Sequence, residues 1–187
     1  MSHDEELDIV SLEDEPTGKV VKYSVAHKNG VPHRIAAVLI FRPNGKLLVQ
    51  RHKDFNRKLD HSVGGHVRAG EDYETAAKRE MEEELGLKIP LAKVAQGIAS
   101  VEHYSNPSRE MVHLFGVFTA RVPADWQFAA TEEVDQIAEM TIPDIVEGMN
   151  KEPDRYLQGF MVSLGAYLKS INSDETINAQ GENRAEP

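Results

Sequence analysis

The chain has 187 residues, 40% of them hydrophobic and 28% charged, so it can bury one sizeable core and a single domain is expected. A formal net charge of −10 argues against a general nucleic-acid or anionic-membrane surface. The absence of cysteine excludes disulfides and thiolate chemistry.

The two ends of the chain are polar. Residues 1–16 form an acidic segment that we expect to be loosely ordered, and it lacks the basic start and apolar stretch of a signal peptide. Residues 173–187 form a polar tail, which leaves 17–172 as the domain. No run of about 18 apolar residues is present, so we expect no membrane span and a cytoplasmic protein.

The domain begins with a predicted hairpin. Arg34–Phe41 is typical of a buried strand, residues 43–45 of a turn, and Lys46–Arg51 of a second strand. A charged loop over His52–Asp60 then leads to Gly65.

A helix is predicted from about Asp72 to Leu85. Acidic residues occupy its first turn, Gly86 suits a left-handed cap after it, and Pro90 prevents its resumption.

Further strands and helices follow this helix. Strands are predicted at Ala92–Val101, Met111–Val122 and Val134–Met140, and helices at Ile142–Met149 and Asp154–Ile171. Interleaved strands and helices with several hairpins indicate an α/β fold with a mixed sheet.

The predicted helix of residues 72–85 carries three clustered carboxylates. Glu80, Glu83 and Glu84 fall within an arc of about 100° on its surface. Like charges this close destabilise a bare helix unless a cation neutralises them. Clustered oxygen ligands suit Mg²⁺ or Mn²⁺, although a solvated acidic face is the simpler alternative.

One of these carboxylates lies at the edge of the core. The apolar stripe consists of Tyr73, Ala77, Met81 and Leu85, and Glu84 projects between the first two. A carboxylate placed there needs a partner, a proton or a metal.

The spacing of this segment resembles the signature of the Nudix hydrolases. The pattern G-x5-E-x7-R-E-U-x-E-E-x-G-U, with U apolar, is matched at Gly65, Glu71, Arg79, Glu80, Met81, Glu83, Glu84, Gly86 and Leu87. The flanks resemble the family over roughly residues 30–150. The resemblance implies the Nudix α/β/α sandwich with a mixed sheet.

The resemblance also implies roles for the matched residues. Glu80, Glu83 and Glu84 would bind the cations with the carbonyl of Gly65, and Glu83 or Glu84 would share in catalysis. Arg79 would orient these carboxylates and Glu71 would support the same network; a surface salt bridge and a helix N-terminal charge are the simpler alternatives. A base from outside the segment is also open, and the candidates are Glu102, Glu110, Glu132 and Glu133.

The implied activity is a Mg²⁺- or Mn²⁺-dependent pyrophosphohydrolase. Its substrate would be a small-molecule diphosphate derived from a nucleotide, namely a nucleoside diphosphate linked to a group X that the sequence does not identify. Neither a membrane nor an extended nucleic acid is expected as a partner, and a homodimer remains open. A non-catalytic nucleotide-binding domain of the same fold is an alternative.

A second resemblance is to the isopentenyl-diphosphate isomerase branch of the same fold. That enzyme binds a metal through histidines in places comparable to His27, His33 and His66, which are therefore candidate metal or substrate residues. Its catalytic cysteine corresponds to Gly64 here, so the principal acid/base group of the isomerase is missing. His113 falls near the place of a later isomerase glutamate.

Contacts to the rest of the substrate are open. Basic residues precede the acidic helix and are candidates for a distal phosphate or a solvated loop: Arg51, His52, Lys53, Arg57 and Lys58. Three aromatic residues are candidates for stacking on a base or for the core: Tyr104, Phe115 and Trp126.

Overall fold

The structure is a computed structural model that describes residues 5–51, 56–103, 110–131, 134 and 136–182. No helix in these ranges is both long enough and apolar enough to cross a membrane.

An N-terminal hairpin precedes the main sheet. Strands β1 (Glu6–Val10) and β2 (Pro16–Lys22) pair antiparallel, and helix α1 (Tyr23–Asn29) follows directly. Leu7 and Ile9 of β1 are buried. The expectation of a loosely ordered segment therefore differs from the structure over these residues, because alternate side chains of β1 enter the core.

Asp14, between the two strands of this hairpin, holds it to the rest of the protein. Its carboxylate accepts a hydrogen bond from Nε of Arg34 at 2.6 Å and another from the Tyr73 hydroxyl at 3.1 Å. Both charged side chains are largely buried. The hairpin is thus fixed to the strand that contains Arg34 and to the helix that carries the acidic residues.

The main sheet is mixed and has seven strands in the described ranges. They are β3 (His33–Phe41), β4 (Leu47–Arg51), β5 (Leu59–Asp60), β6 (Val63–His66), β7 (Ala92–His103), β8 (Glu110–Arg121) and β9 (Ile137–Met140). The order is β5-β4-β3-β8-β7, with β6 paired to β3 and β9 to β4. Strands β3 and β8 run parallel, and the other pairs are antiparallel.

Helices cover both faces of the sheet. Helix α2 (Tyr73–Leu85) packs on one face with Ala36 and Val38 of β3. Helix α4 (Gln158–Glu182) packs on the other face with Ile35 and Ala37, and α3 (Ile142–Lys151) lies on that side too. Because adjacent residues of β3 point to opposite faces, one strand supplies both cores. The predicted α/β/α arrangement is confirmed.

Local signals predicted the bounds of α2 well. The Asp72 carboxylate accepts a hydrogen bond from the backbone N–H of Thr75 at 2.7 Å, so Asp72 is the N-cap. Gly86 adopts the left-handed conformation at φ 64°, as predicted.

The C-terminal helix is longer in the structure than predicted, and a separate short turn takes the place of its predicted start. A 3₁₀ turn at Pro153–Arg155 precedes α4, and α4 continues to Glu182 through part of the predicted tail. The domain limits 17–172 stay a prediction.

The buried Asp14–Arg34 contact generates a stability prediction. We expect Asp14→Asn to lower the free energy of unfolding by about 1–3 kcal/mol, because a hydrogen-bonded carboxylate facing a buried guanidinium is lost. Asparagine tolerates the positive φ of 67° at this position, so backbone strain does not contribute. Thermal unfolding is the measurement, with the exposed Glu13→Gln as control. Equal melting temperatures for the two variants would contradict the proposed anchoring of the hairpin.

Candidate functional site

Arg79 lies at the centre of the acidic cluster. Its Nε and Nη2 donate to the two oxygens of Glu71, each at 2.9 Å, and its Nη1 donates to Glu80 at 2.7 Å and Glu83 at 3.3 Å. Nη2 also donates to the backbone carbonyl of His66 at 2.9 Å. One guanidinium therefore joins three carboxylates of the matched segment to strand β6.

Two of the predicted ligands are buried beneath this strand. Glu80 is 6% exposed and Glu84 is 5% exposed. Gly65 packs directly on Glu80, because a Cβ built on this glycine would overlap the Glu80 carboxyl group. Glu84 accepts hydrogen bonds from the side-chain amide of Gln50 and, at 3.4 Å, from the backbone N–H of Gly64.

The third predicted ligand points toward solvent. Glu83 has a side chain that is 42% exposed and lies 3.7 Å from Arg68 as well as near Arg79. Within the described ranges, the three glutamates do not form a close group of metal-ligating oxygens. Arg79 instead supplies the positive charge, so the assignment of Glu80, Glu83 and Glu84 as ligands stays a prediction.

The pKa values follow from burial and from Arg79. Burial raises the pKa of Glu84 well above its ordinary value, against the opposing hydrogen bond from Gln50. Burial also raises the pKa of Glu80, although Arg79 opposes the shift. Partial burial of Glu71 acts in the same direction, but hydrogen bonds from Arg79 hold its pKa below the ordinary value. A cation near Glu80 and Glu84 would favour their charged forms.

Four histidines form a second cluster. His27, His33, His66 and His113, called the histidine cluster below, place one ring nitrogen each within 4.8 Å of all the others. Nε2 of His27 lies 2.9 Å from Nε2 of His66. The structure thus brings together the three histidines singled out by the isomerase resemblance and adds His113.

Three rings of the histidine cluster, those of His27, His33 and His66, are neutral at neutral pH. Burial, with the neighbouring His113, lowers the pKa of His27 to about 4 and that of His33 to about 3. Burial also lowers the pKa of His66 well below its ordinary value. Neutral imidazoles offer lone pairs rather than charges.

The two clusters lie on opposite faces of β6. Val63 packs with α2, and so does Gly65 through Glu80. His66 therefore points to the α4 face, as do His33 and His113 by alternation with residues of the α4 core. Strand β6 therefore lies between the acidic oxygens and the imidazole nitrogens.

Another buried histidine, His61, lies outside the histidine cluster and faces Gly64. A Cβ on Gly64 would lie 3.2 Å from Nδ1 of His61. That Nδ1 lies 2.7 Å from Asp60, and Nε2 lies 2.9 Å from the hydroxyl of buried Ser163. The position where the isomerase carries cysteine is thus a glycine packed against a hydrogen-bonded imidazole.

Some predicted substrate residues line a cavity. Arg51, Arg57 and Lys58 border about 350 Å³ of space together with Arg155. His52 and Lys53 lie outside the described residues.

The remaining candidates separate into core, strand and surface positions. Phe115 is buried in the α4-side core, which favours a role in packing over stacking on a base. Trp126 packs partly against the α2-side core. Glu102 lies 3.6 Å from His113, and Glu110 is exposed. Tyr104, Glu132 and Glu133 fall outside the described residues.

Sequence reasoning missed Gln50 and the participation of His113. Alternation along β4 places Gln50 on the same face as Leu48, toward α2, which is a signal available in the sequence. His113 faces His33 only through the register of the parallel β3–β8 pair, and no local pattern reveals that register.

Comparisons with known proteins identify the family of the chain. The NUDIX domain family model matches residues 31–160. Isopentenyl-diphosphate Delta-isomerase 2 of Photorhabdus laumondii is 36% identical over 102 residues, which cover 51% of this chain and 55% of that protein. An uncharacterised Nudix hydrolase of Streptomyces coelicolor is 42% identical over 89 residues, covering 46% of this chain and 49% of that protein. The chain thus spans about half the length of these two relatives.

Solved structures show the same fold. The crystal structure of DR0079 from Deinococcus radiodurans aligns with a TM-score of 0.60 at 23% identity. The alignment covers 79% of this chain and 90% of that one.

The burial of Glu84 generates a prediction for the metal-free protein. Its folded pKa lies above the ordinary 4.5, so the unfolded state releases this proton first and stability falls as the pH rises past that value. We expect metal-free Glu84→Gln to melt about 3 °C or more above wild type at pH 8, with a smaller difference at pH 5. Thermal unfolding with chelator at both pH values measures this, with the exposed Glu82→Gln as control. A higher melting temperature for wild type at pH 8 would refute the argument.

Proposed function

The chain belongs to the NUDIX family, and from that premise we propose that it is a divalent-metal-dependent pyrophosphohydrolase. It cleaves a diphosphate bond in a nucleoside diphosphate linked to another group, by attack of water on phosphorus. The ion is Mg²⁺ or Mn²⁺, since the available donors on α2 are oxygens.

The arrangement of Arg79 and its carboxylates supports this proposal most. Glu71, Glu80 and Glu83 converge on one guanidinium, which also holds the carbonyl of His66 next to Gly65. A helix that served only for packing would gain nothing from this concentration of charge at the sheet.

The donor set fits a hard cation. Glu80 and Glu84 are buried with raised pKa values, so both carboxylates would be stabilised in the charged form by a nearby ion. We assign Glu80, Glu83, Glu84 and the Gly65 carbonyl as its ligands. The ion, when bound, withdraws charge from the phosphate and lowers the pKa of water.

The protein side chains take distinct roles in this proposal. We assign proton acceptance from water to Glu83, the exposed carboxylate of the cluster. Arg79 orients the carboxylates, and Glu71 fixes Arg79 through two hydrogen bonds. Gln50 holds the Glu84 carboxylate against β6.

The basic cavity fits the anionic end of such a substrate. Arg51, on the strand that carries Gln50, borders this cavity with Arg57, Lys58 and Arg155. These four cationic residues outnumber Asp154, the acidic residue of the lining. We assign these residues to a distal phosphate of the substrate.

Isomerisation of isopentenyl diphosphate is the second candidate. It is favoured by the relative of that name and by the meeting of His27, His33 and His66. Gly64 opposes this candidate, because a glycine offers no thiol. The space that a side chain at Gly64 would enter is also occupied by the His61 ring. A non-catalytic nucleotide-binding domain is the third candidate, and the intact carboxylate set weighs against it.

The proposal is tested on a panel of nucleotide diphosphate derivatives with Mg²⁺ or Mn²⁺. Hydrolysis leaves two phosphate monoesters, so phosphate is measured with and without a coupled phosphatase that releases it from them. We expect Glu83→Gln and Glu84→Gln to lower kcat by a factor of about 10² or more, because each loses an acidic oxygen needed for charge stabilisation or proton transfer.

Two exposed carboxylates of the same helix are matched controls. Glu74→Gln and Glu82→Gln remove only surface ion pairs with lysines, so both should keep wild-type turnover. Equal turnover in all four variants would reject the catalytic role of the cluster. Interconversion of five-carbon diphosphates without phosphate release would favour the isomerase, and binding without turnover the non-catalytic domain.

A further inference from the structure

We propose that Arg68 is a further substrate-binding residue of the acidic site, where its guanidinium contacts a non-bridging oxygen of the diphosphate, and that Glu5 positions it. This inference rests on the proposed function, because it places a diphosphate beside Glu83. Arg68 occupies a variable position of the signature pattern, and Glu5 lies outside the pattern.

The backbone of Arg68 is fixed from two sides. On one side, its N–H donates to Oε2 of Glu71 at 3.0 Å, and its carbonyl accepts from the backbone N–H of Glu71 at 2.9 Å. On the other side, Arg68 forms an antiparallel bridge with Leu7 of β1. The backbone N–H of Ala69 also donates to the carbonyl of Glu6 at 2.8 Å. Arg68 is therefore held between the N-terminal strand and the acidic network of α2.

The guanidinium of Arg68 is held by one carboxylate. Its Nε and Nη2 both donate to Oε1 of Glu5, at 3.1 Å and 2.7 Å. The Glu5 side chain is largely buried, and the Glu5 carbonyl accepts a hydrogen bond from the backbone N–H of Tyr23 at 2.7 Å. Because the partner is itself fixed, the Arg68 side chain is already ordered before a ligand binds, which lowers the entropic cost of binding.

Arg68 retains donors for a ligand. An arginine side chain carries five N–H donors, and Glu5 accepts from two of them. Nη2 also lies 3.7 Å from Glu83, too far for a hydrogen bond, and Nη1 has no hydrogen-bond partner within the described part of the chain. The Arg68 side chain is 38% exposed. Arg79, in contrast, is largely buried and bonds to three carboxylates.

The surroundings of Glu83 favour a cationic contact to the substrate. Glu80 and Glu84 are buried, so a diphosphate has to approach α2 on the side of the exposed Glu83. Burial raises the pKa of Glu80, and the charges of Glu83 and Glu5 act in the same direction, which shows how negative this side is. Guanidinium groups bind phosphate oxygens through charge-assisted hydrogen bonds. Arg68 supplies such a group on the side of approach.

Glu5 acts through Arg68. The 3.7 Å between Arg68 and Glu83 is short enough for an ion pair to form once Glu5 no longer holds the guanidinium. That ion pair would take from Arg68 the donors that face the substrate. Glu5 is therefore a positioning residue, and its removal should matter only while Arg68 is present.

The first test is calorimetric binding of methylenediphosphonate, a diphosphate that water does not cleave, to the full chain with Mg²⁺. We expect Arg68→Gln to raise the Kd by a factor of about 10 or more, because a charge-assisted hydrogen bond is lost. Arg121→Gln removes the same charge at the exposed end of β8 and should leave the Kd within about twofold. Circular dichroism establishes that the variants are folded. An unchanged Kd for Arg68→Gln, or no binding of this probe by wild type, would overturn the proposal.

A double-mutant cycle tests the role of Glu5. We expect Glu5→Ala to raise the Kd about fivefold or more in the wild-type background, but less than about twofold in the Arg68→Gln background. A residue that only stabilised the N-terminal segment would have the same effect in both. Glu13→Ala, an exposed carboxylate of the same hairpin, is the matched control and should keep the wild-type Kd. Equal effects of Glu5→Ala in the two backgrounds would overturn the positioning role.

Turnover separates this proposal from the proposed hydrolysis. On a substrate that wild type hydrolyses, Arg68→Gln should raise KM by about the same factor as the probe Kd, with a smaller change in kcat. Unchanged KM and kcat would reject the Arg68 contact and leave the hydrolase in place. Arg68-dependent binding of the probe without turnover of any substrate in the panel would reject the hydrolase and leave the Arg68 contact in place.

Discussion

The contacts of Arg79 control the geometry of the acidic site. Carboxylates three and four residues apart on a helix repel, and two of those on α2 are also buried, where an uncompensated charge is costly. The guanidinium fork meets Glu71, Glu80 and Glu83 and reaches the His66 carbonyl with the same planar group. Neutralisation of the helix and its attachment to the sheet are therefore one interaction.

Strand β6 connects the acidic cluster, which is attached to it through Arg79, with the histidine cluster. Gly65 lies against Glu80 on one face, while the His66 ring joins the histidine cluster on the other. A side chain at Gly65 would displace the carboxylate, so the close packing of strand and helix depends on glycine there. Because Arg79 also bonds the His66 carbonyl, a shift of this short strand would disturb the acidic and histidine clusters together.

Local sequence patterns predicted the structural features that depend on residues close together in the sequence. The period of α2, its Gly86 cap and the position of Glu84 at the core edge follow from spacing along one helix. Strand β6 has two glycines in four residues and no alternating pattern, so its strand character arises from pairing with β3. The burial of Leu7 similarly depends on contacts distant in sequence, which a charged N-terminal segment does not reveal.

The two faces of the sheet at β6 carry different types of donor atom. Affinity alone would let a transition metal compete for any carboxylate site, so ligand type and geometry have to discriminate. Here oxygens occupy the α2 face and imidazoles the α4 face. A hard cation would offset the burial of Glu80 and Glu84, whereas the neutral ring of His33 offers a lone pair instead of a charge. The net charge of −10 does not describe either site, because local donors rather than the total charge decide which ion each would hold.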